Sequence, residues 1–128
     1  MSLGGSLLIV LLLGVAGVVG AQHLLERRSR SLEGSAIPPL PPAHAALGEA
    51  STLLWFHSPR CGPCRAMKPH VWELVDEGTA TVVDVTQDAE LARVFGVMAT
   101  PTTIRIAGGQ VRAVRTGVLS GKALRAML

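Results

Sequence analysis

The chain has 128 residues, enough for one small domain with additional segments and too few for two domains of ordinary size. Tyr is absent and aromatic residues make up only 3% of the chain, so the core has to be built mainly from Val, Leu, Ile and Ala. The net charge of +3 comes from basic residues scattered among acids, without the pattern of a nucleic-acid-binding module, which excludes nucleic acid as a partner.

In chain order, the first element is apolar. "LGGSLLIVLLLGVAGVVGA", Leu3 to Ala21, carries no charge and approaches the ~20 residues a bilayer-spanning helix needs. Residues 1–30 therefore read as a transmembrane anchor with a basic flank. A cleaved signal peptide is the competing reading: Val19 and Ala21 would suit its cleavage site, but a positively charged n-region is missing. Arg27, Arg28 and Arg30 follow the apolar run and no basic residue precedes it, so the positive-inside rule puts the rest of the chain in the cytoplasm. The expected location is a bacterial-type inner membrane with a single pass. A periplasmic-facing or secreted domain is the alternative.

Residues 31–50, "SLEGSAIPPLPPAHAALGEA", contain Pro38, Pro39, Pro41 and Pro42. These prolines disfavour helix and central strand, and predict an extended, semi-rigid linker that holds a domain off the membrane.

Residues 51–128 have a globular pattern. Thr52–His57 is a short apolar run ended by Ser58–Pro59, and predicts a buried strand. Cys64–Glu77 predicts a helix with Met67, Val71, Leu74 and Val75 on one face and a kink at Pro69. A second strand is expected over Thr79–Val85, then a short helix capped by Asp88 and stopped at Gly96. "TTIRI" and "VRAVRT" flank "AGGQ" and predict a hairpin turning at Gly108–Gly109. A last helix follows Ser120, its expected N-cap. The order β-α-β-α-β-β-α makes the fold α/β. The first two strands are parallel, and the hairpin completes a mixed four-stranded sheet flanked by helices.

The two cysteines of the chain, Cys61 and Cys64, stand where the first strand hands over to the first globular helix, within "SPRCGPCRAMKP". Residues three apart in a first turn lie close enough for a disulfide after slight adjustment. So small a ring constrains little of the unfolded chain, which makes a purely structural staple a poor explanation. Zinc would need two further ligands, with His57 or His70 the candidates, and one CxxC with scattered histidines is a weak basis for it. The helix N-terminus, Arg60, Arg65 and Lys68 all favour an anion, so Cys61 is expected to favour the reactive thiolate and Cys64, one turn in, to resolve. The pattern points to thiol–disulfide exchange, with no metal.

These residues resemble the thioredoxin family. Cys61-Gly62-Pro63-Cys64 is similar to its active-site motif, Pro69 to its helix-kinking proline, and Thr100-Pro101-Thr102 to its cis-proline loop. Gly117, sixteen residues beyond Pro101, falls where the family keeps a glycine before its last helix. The resemblance covers Ser51 to Leu128 and implies a truncated thioredoxin-like fold, lacking the family's first strand and helix. It implies that Cys61 is the nucleophile and Cys64 the resolving thiol. Pro101 would be cis and face them, with the backbone beside it pairing with a substrate chain. Thr100, Pro101 and Arg60 are thus the expected substrate contacts, Gly62, Pro63 and Pro69 the residues that shape the motif. No cofactor beyond the redox-active disulfide is implied, and the partners are proteins with thiols or disulfides. Two departures stand out: Arg60 replaces the usual tryptophan before the first cysteine, and Trp55 replaces the buried acid six residues before it. Asp84 on the neighbouring strand is a candidate to assist proton transfer in its place. The leading function is a membrane-tethered thiol–disulfide oxidoreductase. The alternative is a non-catalytic thioredoxin-like accessory subunit of a membrane complex.

Overall fold

The computed structural model describes residues 3–128, and all of their side chains except those of residues 25 and 28–30. The first element, helix α1 (Leu3–Arg30), carries the apolar run. Its Leu3–Leu24 stretch has a mean hydropathy of 2.4 and is not buried inside the protein. Length and composition make it a candidate membrane span, and a signal sequence would share both properties.

The globular part follows the expected order: β1 (Thr52–His57), α2 (Gly62–Asp76), β2 (Ala80–Asp84), α3 (Ala89–Val94), β3 (Thr102–Ala107), β4 (Gln110–Thr116) and α4 (Gly121–Ala126). The sheet has four strands in the order β2-β1-β3-β4. β1 is parallel to β2, because α2 carries the chain back across the sheet, and antiparallel to β3. β3 and β4 form the expected hairpin. Gly108 and Gly109 both take positive φ, 59° and 73°, the conformation that a tight two-residue hairpin turn demands.

Alternation along β1 divides the core between the two faces of the sheet. Leu54 and Phe56 face one side and pack with Val83, Leu91, Phe95, Ile104, Ile106, Val111 and Val114. Leu53 and Trp55 face the other, with Cys61, Cys64, Met67, Val71, Leu74 and Leu124 from α2 and α4. On α2 the buried line starts at Cys64 and repeats at spacings of three and four. Val75, expected on the same face, falls off that line and stands exposed. Ser120 caps α4 as expected, its Oγ accepting from the Ala123 N–H at 3.1 Å.

Two expectations need correction. Asp88 occupies the N-cap position of α3 but makes no capping bond with its side chain. Its Oδ1 accepts from His44 Nε2 at 2.9 Å instead. The second correction concerns the segment expected as a free spacer, which lies along the domain. Ala36 bridges to Gln110 at the outer edge of β4, with Gly34 and Ile37 donating to the Val111 and Gly109 carbonyls. Glu33 Oε1 accepts from the Val114 N–H at 2.8 Å and pairs with Arg115. Beyond these contacts Pro42–Glu49 forms a 3₁₀ helix. Leu32, Ile37, Leu40, Leu47 and Ala50 pack on the Leu54–Phe56 side of the sheet. The prolines keep the segment out of α-helix and central strand, while Pro42 is accommodated in the first turn of the 3₁₀ helix. The apolar residues between them make contact with the sheet more favourable than an extended path through water.

Candidate functional site

β1 delivers the chain to one end of the sheet, where Ser58–Pro59–Arg60 turn it into α2. The Cys61 N–H donates to the Ser58 carbonyl at 3.2 Å, closing that turn. Cys61 is the N-cap of α2, and its Sγ accepts from the Cys64 N–H at 3.2 Å. Pro63, in the first turn, has no N–H to leave unpaired. The two cysteines form a disulfide across a Cα–Cα distance of 5.3 Å. Cys61 is 9% exposed and Cys64 1%, so the first cysteine is the one solvent reaches. Arg60, Arg65 and Lys68 stand exposed around the pair, adding positive charge to a helix N-terminus already suited to an anion.

The second part of the site comes from β3. Phe56 pairs with Thr102, so Thr100 and Pro101 precede β3 at the end of the sheet from which β1 runs on to Cys61. The Thr100–Pro101 peptide bond is cis. The Pro101 carbonyl accepts from the Gly117 N–H at 2.9 Å, and Gly117 takes a φ of 99°, which disfavours any side chain there. Thr100 also lines a shallow recess of ≈ 240 Å³ with Val85, Val97, Met98 and Ala99. Met98 is strongly exposed, and no pattern in the sequence marked it. Pro69 lies inside α2, which continues through it to Asp76.

Beneath the disulfide, Trp55 fills the position where an acid was expected from the resemblance. Its ring stacks on the imidazole of His57, centroids 4.7 Å apart and planes 4° from parallel, and meets Trp72 edge-on at 6.0 Å. Trp55 Nε1 and His57 Nδ1 are buried with no hydrogen-bond partner among the described residues. Burial lowers the His57 pKa from its ordinary value; Asp84 opposes that shift and Lys68 adds to it. Asp84, opposite His57 in the β1–β2 register, is held by its own loop, where Oδ1 accepts from the Thr86 N–H at 2.8 Å and from Thr86 Oγ1 at 2.6 Å. Those bonds hold its carboxyl below the usual range. Among the described residues, no group of three His, Cys, Asp or Glu side chains is placed to hold a metal.

The sequence model of the Thioredoxin family matches residues 44–128. The chain belongs to the thioredoxin family. It is 31% identical over 88 residues to the thioredoxin of Bacillus subtilis, a match covering 66% of this chain and 85% of that one. It is also 42% identical over 53 residues to NADPH-dependent thioredoxin reductase 3 of Arabidopsis thaliana, a match that covers 38% of this chain and 10% of the reductase. The X-ray structure of Fasciola hepatica thioredoxin superposes with a TM-score of 0.57 at 27% identity, covering 66% of this chain and 85% of that one. The thioredoxin match begins at residue 44, inside the packed segment that precedes β1. Cys61 and Cys64 thus form the disulfide of a thioredoxin domain, a combination that supports thiol–disulfide oxidoreductase activity.

Proposed function

We propose that this protein is a membrane-tethered thiol–disulfide oxidoreductase that exchanges disulfides with a protein partner through Cys61 and Cys64. The observation that carries the reading is the disulfide at the start of α2, with Cys61 as N-cap and the more exposed residue of the two. Reduced, Cys61 has a helix N-terminus and three exposed basic side chains to favour its thiolate, which attacks a substrate disulfide. Cys64 then displaces the substrate from the mixed disulfide. Thr100, Pro101 and Arg60 contact the substrate chain, whose backbone pairs beside Pro101 as an added strand. Gly62, Pro63 and Pro69 shape the start and course of α2. The dithiol supplies both electrons, so no further cofactor enters the reaction.

α1 is the tether. Arg27, Arg28 and Arg30 on its C-terminal flank favour a cytoplasmic domain on an inner membrane. A fusion of alkaline phosphatase after Leu128 tests the side: the expected outcome is an inactive fusion, and an active one would place the domain outside. Reduction of insulin disulfides by the full chain tests the activity, with Cys61→Ser expected to abolish it. Full activity in that variant would sink the assignment of Cys61.

A further inference from the structure

The site has a proton-transfer requirement that Trp55 cannot meet. Resolution of a mixed disulfide needs Cys64 as a thiolate, yet Cys64 is 1% exposed and belongs to the apolar cluster that holds Trp55, Met67 and Val71. Burial in apolar surroundings disfavours the charged form of a thiol. An indole has no acid–base function at these pH values. Asp84 is a poor proton acceptor, because Thr86 donates two hydrogen bonds to its Oδ1 and they lower its pKa.

One titratable side chain does reach this face. Leu53, Trp55 and His57 alternate along β1 toward the α2 side of the sheet, and His57 ends the strand, close enough to α2 for Lys68 to act on its ring. Its ring is clamped parallel to Trp55, which packs in the same cluster as both cysteines. Its Nδ1 is buried and without a partner among the described residues. A buried polar atom left unpaired is destabilising, so an apolar residue at position 57 would be the more stable choice. The charged groups that act on this imidazole are Asp84 from β2 and Lys68 from α2. They act in opposite senses, and with burial the net effect lowers the pKa of the ring and favours its neutral form, which can accept a proton.

We propose that His57 is the proton acceptor for Cys64, doing from the end of β1 what a carboxylate at position 55 would otherwise do. This rests on the oxidoreductase reading above. In the first step the Cys61 thiolate attacks a substrate disulfide, a Cys61–substrate S–S bond forms, and one substrate sulfur leaves as a thiolate. In the second step the Cys64 S–H bond breaks and its proton passes to the imidazole. The Cys64 thiolate attacks Cys61 Sγ, and the Cys61–Cys64 bond forms as the Cys61–substrate bond breaks. The electron pair of the broken bond departs with the second substrate sulfur, which is protonated from the imidazolium or from water. Two electrons pass from the dithiol to the substrate disulfide. Asp84 stabilises the transient imidazolium across the strand pair, and the Thr86 hydrogen bonds fix its carboxylate for that role.

The test separates the two steps in the reduced full-length chain in detergent micelles. Ellman's reagent releases one coloured thiolate when Cys61 attacks it and a second when Cys64 resolves the mixed disulfide. The expected result for His57→Gln is a second phase slowed at least about tenfold more than the first. Its pH profile should also lose the ionisation seen near the histidine range in the parent protein. Equal slowing of both phases, or an unchanged pH profile of the second phase, would overturn the proposal. If His57→Gln does not fold, the His57 ring is titrated by NMR in the oxidised and reduced parent protein. A titration that shifts with the redox state supports the transfer, because a proton shared with Cys64 exists only in the dithiol form. Identical titrations in the two states overturn it. A parent protein that gives no first release would instead overturn the oxidoreductase reading, and this proposal with it.

Discussion

Leu54 and Phe56 point to one face of the sheet, and Leu53, Trp55 and His57 to the other. The two faces come from alternate residues of one strand, but their contents differ. The first is closed by α3 and the proline-rich segment and packs aliphatic and phenyl groups on one another, Phe56 against Phe95 among them. The second, under α2 and α4, holds the disulfide and the Trp55–His57 stack, with two buried ring nitrogens that have no partner among the described residues. One face is finished as a core. The other gives up some stability where the chemistry takes place, as functional sites often do. What the contrast teaches is that stability and activity should be separable by mutation across a sheet one residue thick.

The sharpest way to break this contrast is Cys61→Ser. Insulin reduction should fall by about 10³-fold or more. Urea unfolding should show a loss of at most about 2 kcal/mol relative to the oxidised parent, since the lost disulfide closes only a very short loop. A larger loss of stability would make the disulfide a structural staple and erase the division between the faces.

Phe56→Ala, one strand residue from Trp55, should do the reverse. It opens a cavity in a fully buried cluster, and unfolding should show a loss of about 3–5 kcal/mol. The fraction that remains folded should reduce insulin at close to the parent rate per molecule.

Leu40→Ala asks whether the proline-rich segment belongs to the first face. A free spacer would lose nothing. A side chain packed on the Leu54–Phe56 side should lose about 1 kcal/mol, read as a shift in the urea midpoint with unchanged slope. Activity should not change.

The subtlest effect concerns pH. The His57 pKa is lowered from 6.5 in the folded protein, chiefly by burial, so below 6.5 the unfolded chain binds the extra proton more readily. Stability should therefore decline as pH falls through about 6.5 and level off below the folded value. The carboxylates with lowered pKa, Asp84 and Glu77, act in a separate window: stability from them is present above their ordinary range near 4 and is lost as pH falls below it. His57→Gln should flatten the upper decline and leave the lower one. Urea unfolding followed between about pH 5 and 7.5 checks this, and an unaltered upper decline would assign it to another group.

The order of elements, the extent of β1, the hairpin glycines and the placement of both cysteines were legible in the chain because each rests on local chemistry. A short apolar run between turn residues, a Gly-Gly turn and an i, i+3 cysteine pair at a strand-to-helix junction keep their meaning wherever they are folded. Ser120 caps α4 for the same reason, with its acceptor reaching a backbone N–H three residues on. Asp88 has the same local opportunity but bonds His44, which is 44 residues away in the chain. Nothing in the neighbourhood of Asp88 reveals such a competitor.

What the sequence by itself determined is the periodic and local part: an apolar helix, a four-stranded α/β domain, and a cysteine pair set at a helix N-terminus. What only the tertiary structure decided is where nonlocal surfaces meet. The prolines of residues 31–50 disfavour α-helix, but whether such a chain extends into water or lies on a sheet, with a 3₁₀ turn over Pro42–Glu49, depends on a distant apolar face and on the edge of β4. His57 is likewise one residue of a short apolar run when read along the chain. Its importance comes from the ring of Trp55 beside it, the carboxylate of Asp84 on the next strand and the α2 helix above, groups brought together by folding. Burial and long-range pairing depend on the whole chain at once, and for that reason neither could be read from any one stretch of it.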